Sequence, residues 1–439
     1  MRRRKPLPPG EHAAEIVDFV HDGRGLARVN GKATFIADAL PGEQVRFRYL
    51  HVTRDLDEGQ AVAIERASPD RAQPECAHFG TCGGCSMQHL DAARQIEFKQ
   101  KQLLDQLARI GKVTPEQVAP PLTAPVWGYR RRARLGVRLV PKKGGVLVGF
   151  RERESGWLAV LESCRTLDPR VGLKLRELGA LIGSLSIAAQ IPQIEVACAG
   201  HVAAVFRVLQ PPSEADRALL AAFGEQHDYE IYLQSGGPDS IRPLRADARP
   251  LEYSPDGSDL TLRFEPTDFV QVNGHLSQQA VRQALDWLAL VPGERVLELF
   301  CGLGNFSLPL ARRGAQVTAV EGEAALVQRA RDNAQRNGLD IRFERADLFA
   351  ATADAPWLQG PFDAVLLDPP RAGAQEILPL VAARKPARIV YVSCHPGTLA
   401  RDAGTLVHQQ GYRLVRAGVM DMFPHTSHVE SMALFHLSS

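Results

Sequence analysis

The sequence predicts a multidomain α/β chain in three parts: a small N-terminal β-barrel over 10–68, a central β-rich region over 75–262, and a C-terminal doubly wound α/β domain over 265–439. Three observations predict it. Residues 11–67 alternate short apolar runs with turn residues. A close cysteine trio, Cys76, Cys82 and Cys85, follows a polar, proline-containing linker at 66–75. From residue 274 onward, strand-like apolar runs alternate with helical patterns, as in a parallel sheet wound with helices.

A length of 439 residues fits about two or three domains, and 45% apolar with 23% charged residues is ordinary for a soluble globular protein. No run approaches the ~18 apolar residues needed to span a bilayer. The first ten residues carry charge but no apolar core, which excludes a secretory signal. A monomeric cytoplasmic protein with reduced thiols and no membrane partner is expected. The net charge of +2 does not announce nucleic acid, but two local basic clusters do bear on it: residues 2–5 and 130–134. The first reads equally well as a solvated tail or an RNA-touching arm. There are 7 cysteines, an odd number that argues against a disulfide framework.

In the leading region, Glu15-Ile-Val-Asp-Phe-Val20 precedes the turn His21-Asp-Gly-Arg-Gly25, and Leu26-Ala-Arg-Val29 meets Asn30-Gly31, a strong hairpin signal. Ala33-Thr-Phe-Ile36 and Gln44-Val-Arg-Phe-Arg-Tyr49 continue the pattern. Short strands this close together predict a barrel of OB-like size, a shape that serves single-stranded nucleic acid or acts as a protein adaptor.

Cys76-Ala-His-Phe-Gly-Thr-Cys82-Gly-Gly-Cys85 has the spacing of metal or cluster ligands, with glycines that let the backbone wrap closely. A closed site takes a fourth ligand, and Cys164 is the best candidate. Cys198, in an apolar run, is expected to pack in a strand. Spacing alone leaves zinc and an iron–sulfur cluster both open. The helical pattern near 90–110, ending at Gly111, is expected to pack on the catalytic domain.

In the central region, Arg130, Arg132, Arg134 and Arg138 fall on alternate positions against Ala133, Leu135 and Val137, with Arg131 the exception. A strand would put those guanidinium groups on one face, suited to RNA phosphates or simply to water.

The C-terminal strand candidates are 295–300, 316–321, 341–347, 362–368, 387–394, 412–421 and 432–437, with helical runs between the first six and a terminal hairpin. In such sheets ligands bind at the carboxyl ends of strands. Gly302 and Gly304 allow a ligand close to the backbone after the first strand. Glu321, Asp347 and Asp368 end the next three, where acids bond ribose hydroxyls or cap helices. Cys301 reads as a space-filler inside the glycine turn. Cys394, at a strand end just before a proline-started helix, is placed as a nucleophile, with the helix dipole expected to help a thiolate.

Phe300-Cys-Gly-Leu-Gly-Asn-Phe306, Leu367-Asp-Pro-Pro-Arg371, Ser393-Cys-His-Pro-Gly-Thr-Leu-Ala-Arg-Asp402 and His425-Thr-Ser-His-Val-Glu430 resemble the RNA uracil-C5 methyltransferases. The four-cysteine site and the leading barrel, similar to a TRAM domain, resemble the branch acting on uracil 1939 of 23S rRNA; relatives acting on tRNA or another 23S uracil typically lack that barrel. The resemblance implies a Rossmann-like domain with S-adenosylmethionine as donor, contacted by Gln271, Phe300, Asn305, Glu321, Asp347 and Asp368. It implies a [4Fe–4S] cluster on Cys76, Cys82, Cys85 and Cys164, Cys394 as nucleophile and Glu430 as base. One departure stands out: His395 occupies the position after the nucleophile where the family usually has Asn, which leaves the local hydrogen bonding open. Two other readings stand beside this one. The target could be tRNA or another 23S uracil, or the chain could be a noncatalytic RNA-binding module with structural zinc.

Overall fold

Alternating apolar side chains close the N-terminal strands into a barrel. In this computed structural model, which describes residues 6–438, β1 (His12–Phe19), β2 (Gly25–Val29), β3 (Lys32–Ala37), β4 (Gln44–Val52) and β5 (Leu56–Arg66) pair in the order β1-β2-β3-β5-β4. The basic run 2–5 lies outside the described residues. Ile16, Ala27, Ile36, Val45 and Phe47 fill the interior. Asn30 and Gly31 both take positive φ, 51° and 79°, as a tight hairpin turn requires. Gly59 is needed for closure: a Cβ there would lie 2.5 Å from the Phe47 ring.

The chain divides into two compact units. The first joins the residues up to Lys99 with Phe150–Ala159 and Phe423–His428; the second is Gln100–Gly149, Val160–Met422 and Val429–Ser439. In the first unit the cysteine loop is tied by backbone bonds to the 150–159 segment: Gly83 N–H donates to Arg151 O at 2.9 Å and Arg153 N–H to Thr81 O at 2.9 Å. The Arg153 guanidinium lies 4.9 Å from the Phe79 ring centre and pairs with Asp38 at 2.8 Å. His425 O accepts the N–H groups of Ser86 and Met87, both at 3.0 Å.

The helix α1 (Ala92–Gln106) ends in a single wide turn over Leu107–Gly111. The helical run ends at Gly111, as expected, and Lys112 caps it in the left-handed conformation at φ 54°; Gly111 also admits no side chain, because a Cβ there would lie 2.3 Å from Ala400 O.

The second unit carries two large sheets. One comprises β7 (Arg132–Val140), β8 (Gly145–Gly149), β9 (Gln193–Cys198), β10 (Val202–Arg207), β11 (Tyr229–Gln234) and β12 (Ile241–Pro243), in the order β12-β11-β10-β9-β7-β8. It is accompanied by α2 (Pro169–Gly172), α3 (Leu175–Ser184) and α4 (Glu214–His227). A two-stranded ribbon, β13 (Leu251–Tyr253) and β14 (Leu262–Phe264), follows, and then α5 (Gly274–Leu288).

The other sheet holds β15 (Arg295–Leu299), β16 (Gln316–Glu321), β17 (Arg342–Arg345), β18 (Ala364–Leu367), β19 (Arg388–Ser393), β20 (Tyr412–Met420) and β21 (Glu430–Leu437). Its order is β17-β16-β15-β18-β19-β21-β20-β6, where β6 is the two-residue edge strand Gln117–Val118. The strands from β17 to β19 run parallel, and β21 returns antiparallel between β19 and β20. The interiors of the central strands β18 and β19 are apolar and buried on both faces, the pattern expected when helices cover a parallel sheet. The helices α6 (Ser307–Arg312), α7 (Ala324–Arg336), α8 (Leu378–Ala382) and α9 (Pro396–Gln409) follow β15, β16, β18 and β19. One expected helix is missing: between β17 and β18 there is only a short 3-10 turn, Pro356–Leu358. Pro356, Gly360 and Pro361 interrupt any helical run there.

Candidate active site

The first strand of the parallel sheet ends in a turn of left-handed and glycine residues. Phe300 has φ 64°, and Gly302 and Gly304 have φ 55° and 93°. A Cβ on Gly304 would lie 2.7 Å from Leu308. Glu321, at the end of β16, accepts the Gly302 N–H at 3.1 Å through one oxygen and the Gly322 and Glu323 N–H groups at 2.7 and 3.0 Å through the other. Asp347, beyond β17, accepts the Phe349 N–H at 3.0 Å, and the Phe349 and Phe300 rings are 5.8 Å apart. Asn305 accepts the Tyr253 hydroxyl at 3.1 Å, and the Gln271 carbonyl accepts Arg131 Nε at 2.7 Å. The half-buried Asp368 follows β18, where burial pushes its carboxyl up to about 7. Parallel register thus gathers Phe300, Asn305, Glu321, Asp347 and Asp368 along one edge.

Glu298, inside β15, lies outside the residues expected at the site. It is buried, accepts the Ser307 hydroxyl, and is pushed up to about 8, chiefly by burial. A carboxyl in the middle of an apolar strand run was the signal available for it. Below the same turn Cys301 is buried, and burial holds its thiol well above the ordinary range, as a space-filler requires.

Cys394 follows the last residue of β19. Ser393 pairs with Ser431 across the antiparallel β19–β21 ladder, so Glu430, the first residue of β21, comes beside Cys394. The thiol is pushed up to about 11 by burial first, then by the charges of Glu430 and Asp368, while Arg371 opposes them. Whatever help the helix dipole gives a thiolate acts against this desolvation and these two carboxylates, and the resting group is a thiol. His395 settles the departure from Asn. It is the N-cap of α9, and its Nδ1 accepts the Thr398 N–H at 3.2 Å, the bond an Asn side chain would make.

Cys76, Cys82, Cys85 and Cys164 are each partly exposed and none is in a disulfide. The Gly84 N–H lies 3.4 Å from Cys82 Sγ. Among the described residues no group of three or more His, Cys, Asp or Glu side chains is drawn together closely enough to hold a metal ion. Cys198 ends β9, buried, with its thiol pushed up to about 12 by burial. The alternation over β7 is present, but only part of that face is open. Arg132 turns inward to the Thr267 and Asp268 carbonyls and Arg130 Nε to the Arg132 carbonyl at 3.1 Å, whereas Arg134, 68% exposed, pairs with Glu195 at 3.0 Å. No helix among the described residues is long and apolar enough to cross a membrane.

Residues 252–437 match the model of the tRNA (uracil-5-)-methyltransferase family. A 23S rRNA (uracil(1939)-C(5))-methyltransferase of Alkalilimnicola ehrlichii is 54% identical over 99% of this chain and 98% of its own length. Those of Stenotrophomonas maltophilia (strain K279a) and Azoarcus sp. (strain BH72) are 51% and 53% identical over 99% and 96% of this chain, and each is covered over 99% of its own length. Among solved structures, the Pyrococcus abyssi tRNA (uracil-54, C5)-methyltransferase in complex with S-adenosyl-L-homocysteine superposes with a TM-score of 0.74 at 26% identity, covering 96% of this chain and 99% of that one. Sheet order, glycine turn and acid-lined edge are therefore those of an α/β methyltransferase domain. The chain belongs to the RNA uracil-C5 methyltransferase family. Because the archaeal match to a tRNA enzyme extends over nearly the whole chain, the leading barrel does not by itself separate the rRNA-directed from the tRNA-directed members.

Proposed function

We propose that this protein transfers a methyl group from S-adenosylmethionine to C5 of uracil 1939 in 23S rRNA. The observation that carries the chemistry is the placement of Cys394 beside Glu430, next to Asp368 and the glycine turn. The rRNA target rests on full-length relatives at 50% identity or more that bear that activity in their names. When bound, S-adenosylmethionine supplies an electrophilic methyl and a positive sulfonium, whose charge favours the thiolate against the two carboxylates.

Cys394 sulfur adds to C6 of the uracil, and the C5=C6 electrons move onto C5 and O4. The enolate carbon C5 then takes the methyl as its bond to sulfur breaks, the bonding electrons return to that sulfur, and S-adenosylhomocysteine is left. Glu430 removes the C5 proton, and the electrons left behind re-form C5=C6 and expel the Cys394 thiolate. Gln271, Phe300, Asn305, Glu321, Asp347 and Asp368 are proposed as the donor contacts. The target uracil must leave its stack to reach Cys394, so single-stranded or looped RNA is required. The barrel, proposed as a TRAM-like RNA-binding domain over 10–68, and Arg134 with Arg130 and Arg132 behind it, are proposed to grip that RNA. The regions 75–262 and 265–439 are proposed as the cluster-bearing and catalytic domains.

Cys76, Cys82, Cys85 and Cys164 are proposed to hold a [4Fe–4S] cluster. Four thiols are donors of the right chemistry, the glycines between the last two of the close trio let the backbone wrap closely, and the Gly84 N–H is directed at Cys82 Sγ. The methyl-transfer steps do not pass through it. The protein is proposed to act as a cytoplasmic monomer, where rRNA is available.

The test is nucleoside mapping after incubating the protein with S-adenosylmethionine and either unmodified 23S rRNA fragments or tRNA. 5-Methyluracil at position 1939 is expected. Its appearance in tRNA alone would keep the mechanism and reassign the substrate.

A further inference from the structure

The loop that leaves β18 carries Asp368, Pro369, Pro370 and Arg371, and it is held from behind by a buried network. Asp402, on α9, is fully buried. One of its carboxylate oxygens accepts the Ala374 N–H at 2.9 Å and the Tyr391 hydroxyl at 2.7 Å. The other accepts Arg401 Nε at 2.8 Å. Arg401 in turn donates to the Ala372 carbonyl at 2.9 Å. Between these two bonded residues lies Gly373, at φ 85°, whose N–H donates to Pro370 O at 2.9 Å. A Cβ on Gly373 would lie 2.5 Å from Arg401 Nη2 and 2.6 Å from Asp402 Oδ2. The loop is thus pinned on both sides of a residue that admits no side chain. The pins come from the two elements that flank Cys394: Tyr391 from β19 and Asp402 from α9.

We propose that Asp402, with Tyr391 and Arg401, is a positioning residue that holds the 369–374 loop, and with it Arg371, against the Cys394 end of β19. The parallel register of Leu367 with Tyr391 sets that end of the loop beside Val392 and Cys394. Arg371 is the cation that opposes burial, Glu430 and Asp368 at the thiol. A buried carboxylate with no contact to substrate thereby governs how readily the nucleophile ionises. Tyr391 serves as a permanent donor, because burial and the Asp402 charge push its ionisation far above its ordinary value. A carboxylate that accepts a backbone N–H, a phenol and a guanidinium at once is costly to replace piecemeal, since each lost bond leaves a buried partner unpaired.

This inference rests on Cys394 being the nucleophile, but its test reads the thiol directly. The pH dependence of Cys394 alkylation by iodoacetamide is followed by mass spectrometry in wild type, Asp402→Asn, Tyr391→Phe, Arg371→Met and the double variant Asp402→Asn/Arg371→Met. S-adenosylhomocysteine binding and circular dichroism report whether each variant is folded. Asp402→Asn and Tyr391→Phe are expected to slow alkylation at fixed pH by about threefold or more, half a pKa unit, with the ligand still bound. Arg371→Met is expected to do the same, and the double variant to show no further slowing, because both changes remove one effect. A wild-type alkylation profile in folded Asp402→Asn and Tyr391→Phe, or additive slowing in the double variant, would overturn the proposal. If turnover survives Cys394→Ala while the alkylation cycle behaves as expected, the reading of Cys394 as nucleophile fails and the positioning inference does not.

Discussion

Replacing Glu430 with Gln separates two things this side chain does to Cys394. At rest its charge is, after burial, the main cause holding the thiol up at about 11. At neutral pH a thiol that high is ionised in only about one molecule in ten thousand, a cost of ~5 kcal/mol. Removing the carboxylate charge while keeping its shape should bring the thiol down by about one pKa unit, which is tenfold in thiolate and ~1.4 kcal/mol. Alkylation of Cys394 at pH 8 should therefore quicken by about tenfold. Turnover should move the opposite way. With no base to take the C5 proton, the rate should fall by ~10²–10⁴-fold, and the methylated, covalently attached RNA should accumulate as a denaturation-stable adduct. The two assays are iodoacetamide labelling read by mass spectrometry and a denaturing gel of protein with radiolabelled RNA. Faster alkylation with normal turnover would remove Glu430 from the base role. Slowed turnover without adduct would place its contribution before the addition step.

Other consequences are as concrete. His395→Asn should retain the α9 cap and near-normal activity, whereas His395→Ala should lower stability by about 1 kcal/mol, seen as a lower melting temperature. Tyr253→Phe frees Asn305 and should weaken S-adenosylhomocysteine binding by about fivefold in calorimetry, the worth of one hydrogen bond. Glu298, pushed up to about 8 when folded, holds a proton that the unfolded chain releases at ordinary carboxyl pH. Its contribution should make stability fall as pH rises from about 4.5 to about 8 and then level off. Glu298→Gln should flatten that fall by a few kcal/mol in denaturant titrations at several pH values. Anaerobically purified protein should carry about four iron and four sulfide per chain, and Cys82→Ser should lose them; a colourless protein containing zinc would contradict the cluster.

Much of the catalytic sheet was legible because parallel strands buried on both faces read as continuous apolar runs, and the acids that end them stand out against those runs. The barrel was legible through Asn30-Gly31 and its period-two alternation. What escaped was set by tertiary contact. β6 is two exposed residues that pair only because β20 offers an open edge. Arg132 satisfied the alternation expected of an RNA-facing strand, yet carbonyls from residues 267 and 268, far away in sequence, draw it inward. The helix after Cys394 was visible in the sequence, but the carboxylates that raise its thiol arrive from β18 and β21, and only the antiparallel return of β21 brings Glu430 there. Gly111 does end its helical run, but the sequence did not show its second constraint, a backbone carbonyl on α9.

Covalent attachment of Cys394 to the uracil being methylated is tested with target RNA bearing 5-fluorouracil at position 1939. The fluorine cannot be removed as a cation by Glu430, so the reaction should stop after methyl transfer with the sulfur still on C6. A stable adduct that requires S-adenosylmethionine and maps to the peptide containing Cys394 is expected, and it should be absent from Cys394→Ala. An adduct on another cysteine, or methylation that proceeds unchanged in Cys394→Ala, would contradict it.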